Sequence, residues 1–184
     1  ARRPIPDEKA IIQATDMIEK ASKPVLILGG GANRTLTNKM LLEFVEKTKI
    51  PFITTQLGKG VLDERHDYFL GCAALSSGDF VHRAIEESDL IITVGHDDVE
   101  KPPFVMKEFD KRKVIHINHS PANIDAIYFP QYMVEGDIAN TIWQIKERIK
   151  NNPSWDFSKM LEVRVAHLEH SKKIREDDRF PIFP

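Results

Sequence analysis

Apolar positions alternate between two periods along the chain. From Asp7 to Ala21, Ile11, Ala14 and Ile18 recur at helical spacing with Met17 and Ala21 beside them, which predicts a helix, and Asp7 after Pro6 supplies its N-cap. Pro24-Val25-Leu26-Ile27-Leu28 is then apolar on both faces and is stopped by Gly29-Gly30-Gly31, the pattern of a strand buried in a parallel sheet that leaves it through a tight turn. A second helix carries Met40, Leu41, Phe44 and Val45 on one face. The alternation continues with a strand at Phe52 to Thr55, a helix at Asp79 to Glu87, strands at Leu90 to Val94, Val114 to Ile117 and Tyr132 to Val134, and a helix at Ile138 to Lys150. Strands alternating with helices predict an α/β fold. The expectation is one doubly wound, Rossmann-like domain of about six parallel strands with helices on both faces. Pro102-Pro103 predicts an irregular connection after the Leu90 strand. Beyond Asn151-Asn152-Pro153, a helix with Leu161, Val165 and Leu168 on one stripe is expected to lead out of the domain.

Composition narrows the function classes. The 184 residues carry 26 Lys and Arg against 28 Asp and Glu, a formal net charge of −2 that offers no basic footprint for nucleic acid. No apolar run is long enough for a membrane span, and the charged start is unlike a signal core. A lone cysteine, Cys72, fits a reducing compartment, so a cytoplasmic location is expected. The opening Ala1-Arg2-Arg3-Pro4 and the closing Phe180-Pro181-Ile182-Phe183-Pro184 read as cut ends of a longer chain.

Ligands of open α/β sheets bind beyond the carboxyl ends of the strands. Those ends are rich in glycine and small polar residues here, which suits an extended nucleotide and equally suits ordinary βα turns. Sharper motifs fail. Counting from Gly29, a dinucleotide fingerprint meets Arg34 where its third glycine belongs, and the strand ending in Thr54-Thr55 brings no acidic residue for a ribose. Gly58-Lys59-Gly60 lacks the Ser or Thr of a P-loop. His116 and His119 point to opposite faces of an extended strand, a poor geometry for one metal. His96-Asp97-Asp98 has no nucleophile at a fixed offset.

The motifs in order are more specific than any one of them. Lys23 to Gly31, Pro51-Phe52-Ile53-Thr54-Thr55 with Gly58-Lys59-Gly60, Ser88 to Ile92, and Val114 to Asn118 with Ser120-Pro121-Ala122-Asn123-Ile124 together resemble the central domain of thiamine-diphosphate-dependent enzymes. The similarity is strongest to the acetolactate synthase (acetohydroxyacid synthase) large subunit. The resemblance implies a full enzyme that condenses two pyruvates to 2-acetolactate with loss of carbon dioxide, a step of branched-chain amino acid biosynthesis. Thiamine diphosphate and magnesium would sit in N- and C-terminal domains of the same chain, in a homo-oligomer. It also implies that residues 1–22 are an entry linker and first helix, 23–150 the central domain, and 151–184 an exit helix and linker. This segment would then hold no catalytic or metal-binding residue.

Flavin-containing members hold FAD along the strand ends. By resemblance the flavin-lining positions are Gly30, Gly31, Thr55, Gln56, Leu57, Leu70 and Gly71, the adenosine side is Asn118, Ser120 and Asn123, Gly136 and Asp137 close the site, and Gly95 is a further cofactor-binding position. The chain departs from that pattern where such members carry Arg-Phe-Asp-Asp-Arg, reading Gly95-His96-Asp97-Asp98-Val99-Glu100 instead. Without that arginine a pyrophosphate loses a charge-assisted partner, and Asp97 would repel it. The Gly-x-Asp-x-Val-Glu run resembles the flavin-independent, catabolic acetolactate synthases, which favours an empty or weakened FAD or ADP pocket. The alternatives are a stand-alone adenine-nucleotide-binding module, another thiamine-diphosphate 2-keto acid decarboxylase or carboligase, and, least supported, a free-standing NAD-consuming enzyme of similar fold.

Overall fold

The computed structural model describes residues 4–73, 80–97, 100, 113–123 and 130–175. The chain termini at 1–3 and 176–184, the Pro102-Pro103 connection, and Asp79, Asp98, Val99 and Ile124 lie outside the described residues.

Six parallel strands form one sheet: β1 (Pro24–Leu28), β2 (Phe52–Thr55), β3 (Phe69–Ala73), β4 (Leu90–Val94), β5 (Lys113–Asn118) and β6 (Tyr132–Glu135), in the order β3-β2-β1-β4-β5-β6. This is the doubly wound α/β architecture expected from the alternation. The helices are α1 (Glu8–Lys20), α2 (Thr35–Thr48), α3 (Phe80–Glu86), α4 (Ile138–Arg148) and α5 (Ser158–Arg175). Asp7 caps α1, its carboxylate accepting from the Lys9 amide at 3.2 Å.

The two-residue period of the strands divides their side chains between two cores. Leu26 and Leu28 of β1, Leu90, Ile92 and Val94 of β4, and Ile115 and Ile117 of β5 face α1, α2 and α4. Val25, Ile27, Ile91 and Val114 point the other way, toward Val81, Ala84 and Ile85 of α3 and Met160 and Val163 of α5. Because both faces are covered, the central strands read as continuous apolar runs, and every residue of β1 and β4 is buried.

Two elements differ from the sequence reading. The sequence pattern names no strand between Thr55 and Asp79, yet Phe69–Ala73 form β3, an edge strand paired with β2. Its register slips between Phe52 and Ile53, and Gly71 sits at φ +135° with Val81 close against it. On α5 only the first residue of the expected stripe is partly buried, Leu161 packing against the second core. Val165 and Leu168 are 55% and 53% exposed, while Met160 and Val163 are buried against the second core. The first half of α5 therefore packs on the sheet beside α3.

Candidate functional site

The strand order reverses between β1 and β4. β2 and β3 are laid down on one side of β1, after which the chain returns to place β4, β5 and β6 on the other. The loops leaving the carboxyl ends of β1 and β4 meet at this switch point, the crevice position where open α/β sheets take ligands. Most of the residues assigned from the sequence gather along this rim. Gly30 and Gly31 follow β1, Gln56 and Leu57 follow Thr55 at the end of β2, Gly95 follows β4, Ser120 and Asn123 follow Asn118 at the end of β5, and Gly136 and Asp137 follow β6. Leu70 and Gly71 stand apart, since they lie inside β3, with Leu70 buried in the second core.

The β1 and β4 turns are joined by backbone. Gly29 N–H donates to the Val94 carbonyl and Gly31 N–H to the Gly95 carbonyl, both at 2.9 Å, while Gly95 N–H donates to the Ile117 carbonyl at 2.9 Å. The approach is too close for side chains. A methyl group placed on Gly29 would stand 2.5 Å from the Gly95 carbonyl oxygen, and one on Gly31 2.8 Å from the same atom.

One side chain occupies the space that remains. The Glu100 carboxylate oxygen Oε1 accepts from the Gly30 amide at 2.9 Å and from the Asp97 amide at 3.1 Å. Its other oxygen, Oε2, accepts from the Thr55 hydroxyl. The Thr55 oxygen in turn accepts from the Gly58 amide at 3.0 Å, so one carboxylate ties together the loops after β1, β2 and β4. Glu100 lies 2.8 Å from the point where Gly29 would carry a methyl group, so glycine there admits the carboxylate just as glycines elsewhere admit a phosphate.

Asn118 and Asp137 on the rim are likewise engaged within the chain. Asn118 donates from Nδ2 to the His96 carbonyl at 2.8 Å and accepts the His119 amide on Oδ1 at 2.8 Å. Asp137 is the N-cap of α4, accepting the Asn140 amide at 2.9 Å, and its own N–H donates to the Pro4 carbonyl at 2.8 Å. On β6 the Tyr132 phenol is raised above its ordinary range, first by burial and then by the Asp7 carboxylate, so it stays protonated at neutral pH. An apolar hollow of about 430 Å³ lies between α2 and α4 beside Leu36, Met40 and Trp143, and it reaches the rim only at Asp137, the cap of α4.

These contacts decide whether an adenine dinucleotide fits. At a switch point its pyrophosphate needs free backbone N–H groups on the glycine turn. Here the Gly30 N–H is taken by a carboxylate, and the crevice presents the Glu100 anion where the pyrophosphate would need positive charge. The crevice as built does not fit FAD. Glu100 is the site residue missing from the sequence-based assignment, in which it enters only as part of the Gly-x-Asp-x-Val-Glu run and not as an acceptor for the β1 turn.

The model of the thiamine pyrophosphate enzyme central domain matches residues 11–145. The chain belongs to that family. As a thiamine pyrophosphate enzyme central domain it is homologous to acetolactate synthase large subunits. The acetolactate synthase large subunit of Pyropia yezoensis is 33% identical over 82% of this chain and 26% of its own length. The acetolactate synthase of Bacillus subtilis is 31% identical over 92% of this chain and 28% of its own length. The chain thus spans about a quarter of the length of these curated relatives. A structure described as a thiamin diphosphate-dependent enzyme from Mycobacterium smegmatis superposes with a TM-score of 0.70, at 23% identity, covering 83% of this chain and 30% of the other. That likeness is one of fold. Among the described residues, no group of His, Cys, Asp and Glu could hold a metal ion, and no helix is long and apolar enough to cross a membrane.

Proposed function

We propose that this chain is the middle domain of an acetolactate synthase that condenses two pyruvates to 2-acetolactate and releases carbon dioxide. The similarity to acetolactate synthases over 82% and 92% of the chain carries this reading. Thiamine diphosphate supplies the electron sink for decarboxylation and carbon–carbon bond formation. It and magnesium would be held by the N- and C-terminal domains of the same protein, with residues 1–22 and 151–184 as the connections to them. The protein would work as a homo-oligomer in the cytoplasm. The middle domain contributes no reacting group. Its own residues build a rigid two-core body, and the loops after β1, β2 and β4 close over the switch point.

The test is acetolactate formation by the full-length protein from pyruvate, thiamine diphosphate and magnesium. Acetolactate as the main product is expected. Acetaldehyde as the main product would point to a decarboxylase of the same family, and no turnover of any 2-keto acid would end the reading.

A further inference from the structure

The Glu100 carboxylate stands 70 positions from Gly30 in the chain yet meets its backbone N–H at 2.9 Å. It also accepts the Asp97 N–H and the Thr55 hydroxyl. Two backbone donors and a hydroxyl converging on one anionic group at a topological switch point are the same kinds of donor that bind phosphate oxygens in nucleotide-binding sheets. Hydrogen bonds to an ionised acceptor are the strong ones. Thr55 is buried, so its hydroxyl has little access to competing water.

We propose that Glu100 is a resident anion: its carboxylate takes the place of a ligand's diphosphate at the β1 turn and seals the crevice against adenine nucleotides. The covalent link decides the competition. A carboxylate tethered a few residues beyond β4 is presented to the turn at an effective concentration of roughly millimolar or above, and a free nucleotide must displace it. The displaced Glu100 carboxylate, tethered beside the turn, would then stay close to the incoming phosphates, and like charges that close oppose entry. The same carboxylate fixes three loops relative to one another, a task that a bound cofactor's phosphates perform in sheets that have one. The inference goes beyond the acetolactate reading and does not depend on it, because it concerns this crevice whatever reaction the neighbouring domains perform.

The experiment is a calorimetric titration of the full-length protein with ADP, and separately with FAD, after saturation with thiamine diphosphate and magnesium so that the cofactor's own diphosphate site is filled. The wild-type protein is expected to take up neither. Glu100→Ala removes the internal anion and is expected to bind ADP at least about tenfold more tightly than wild type, and to regain with ADP part of the melting temperature it loses. A purely structural glutamate would lower the melting temperature without creating an ADP site. If Glu100→Ala does not fold, Glu100→Gln carries the comparison, since it keeps the size and one acceptor but removes the charge; it too should bind ADP more tightly than wild type. Micromolar binding of FAD or ADP by the wild-type protein would overturn the proposal. So would ADP affinity unchanged in whichever variant folds. Acetolactate is not read in this experiment, so its failure and that of the proposed activity are separate results.

Discussion

Gly95→Ala is expected to destabilise the domain by about 4 kcal/mol or more, a large share of the roughly 5–15 kcal/mol that holds an ordinary domain folded. Gly95 sits at φ +63°, a left-handed conformation that costs a residue with a Cβ about 1 kcal/mol. Space is the larger problem. The new methyl would stand 2.2 Å from the Ala32 amide nitrogen and 2.6 Å from the Gly31 carbonyl carbon, and backbone atoms cannot rotate away as a side chain can. Relief requires separating the β1 and β4 turns, which breaks the Gly31-to-Gly95 hydrogen bond and pulls the neighbouring loop away from Glu100. Gly60→Ala is the control: Gly60 also has a positive φ, +85°, but nothing lies within 4 Å of the methyl position. It should lose only about 1 kcal/mol. Urea unfolding of the two variants measures the difference, and Gly95→Ala within about 1 kcal/mol of wild type would contradict the close contact between the turns.

The second large effect belongs to the core. Phe44 on α2 is 1% exposed and packs in the cluster shared by α1, α2, α4 and one face of the sheet. Phe44→Ala deletes a ring that its neighbours cannot replace, and the expected cost is about 3–5 kcal/mol. In a protein of this size that corresponds to a fall in melting temperature of roughly 6–20 °C. Leu42 on the same helix is 42% exposed, and Leu42→Ala should change stability by no more than about 0.5 kcal/mol. Thermal unfolding of the pair separates burial from helix propensity, since both variants place alanine at a helical position. Equal losses would mean that α2 does not pack as described.

The central strands were legible because burial on both faces imposes a pattern that needs no partner to be recognised. Pro24 to Leu28 is apolar throughout and ends at glycine, and β1 has those bounds. β3 escaped because it is an edge strand interrupted by Gly71, where backbone at φ +135° and a register slip against β2 replace the regular alternation. α5 escaped in part because its helical period was clear but its buried stripe was not: Met160 and Val163 are chosen by the shape of α3 and β3, which local spacing does not contain. The rim of the candidate site was legible as glycine turns at strand ends, and the reversal of strand order brings the β1 and β4 turns together. What fills the crevice was not legible in the same way. Glu100 acts on Gly30 and Thr55 across long stretches of sequence, and no local period or spacing encodes that return. The available signal was chemical: an acidic residue in the loop after β4, facing a glycine turn whose N–H groups need an anion.

On the reading proposed above, a thiamine pyrophosphate enzyme central domain whose crevice holds its own carboxylate would serve the enzyme without a nucleotide of its own. The measurement that bears on this most directly is the rate of acetolactate formation by full-length protein stripped of flavin, with thiamine diphosphate and magnesium present, before and after FAD is added. The expected result is acetolactate at the same rate in both conditions. A rate that appears only when FAD is supplied would contradict the account.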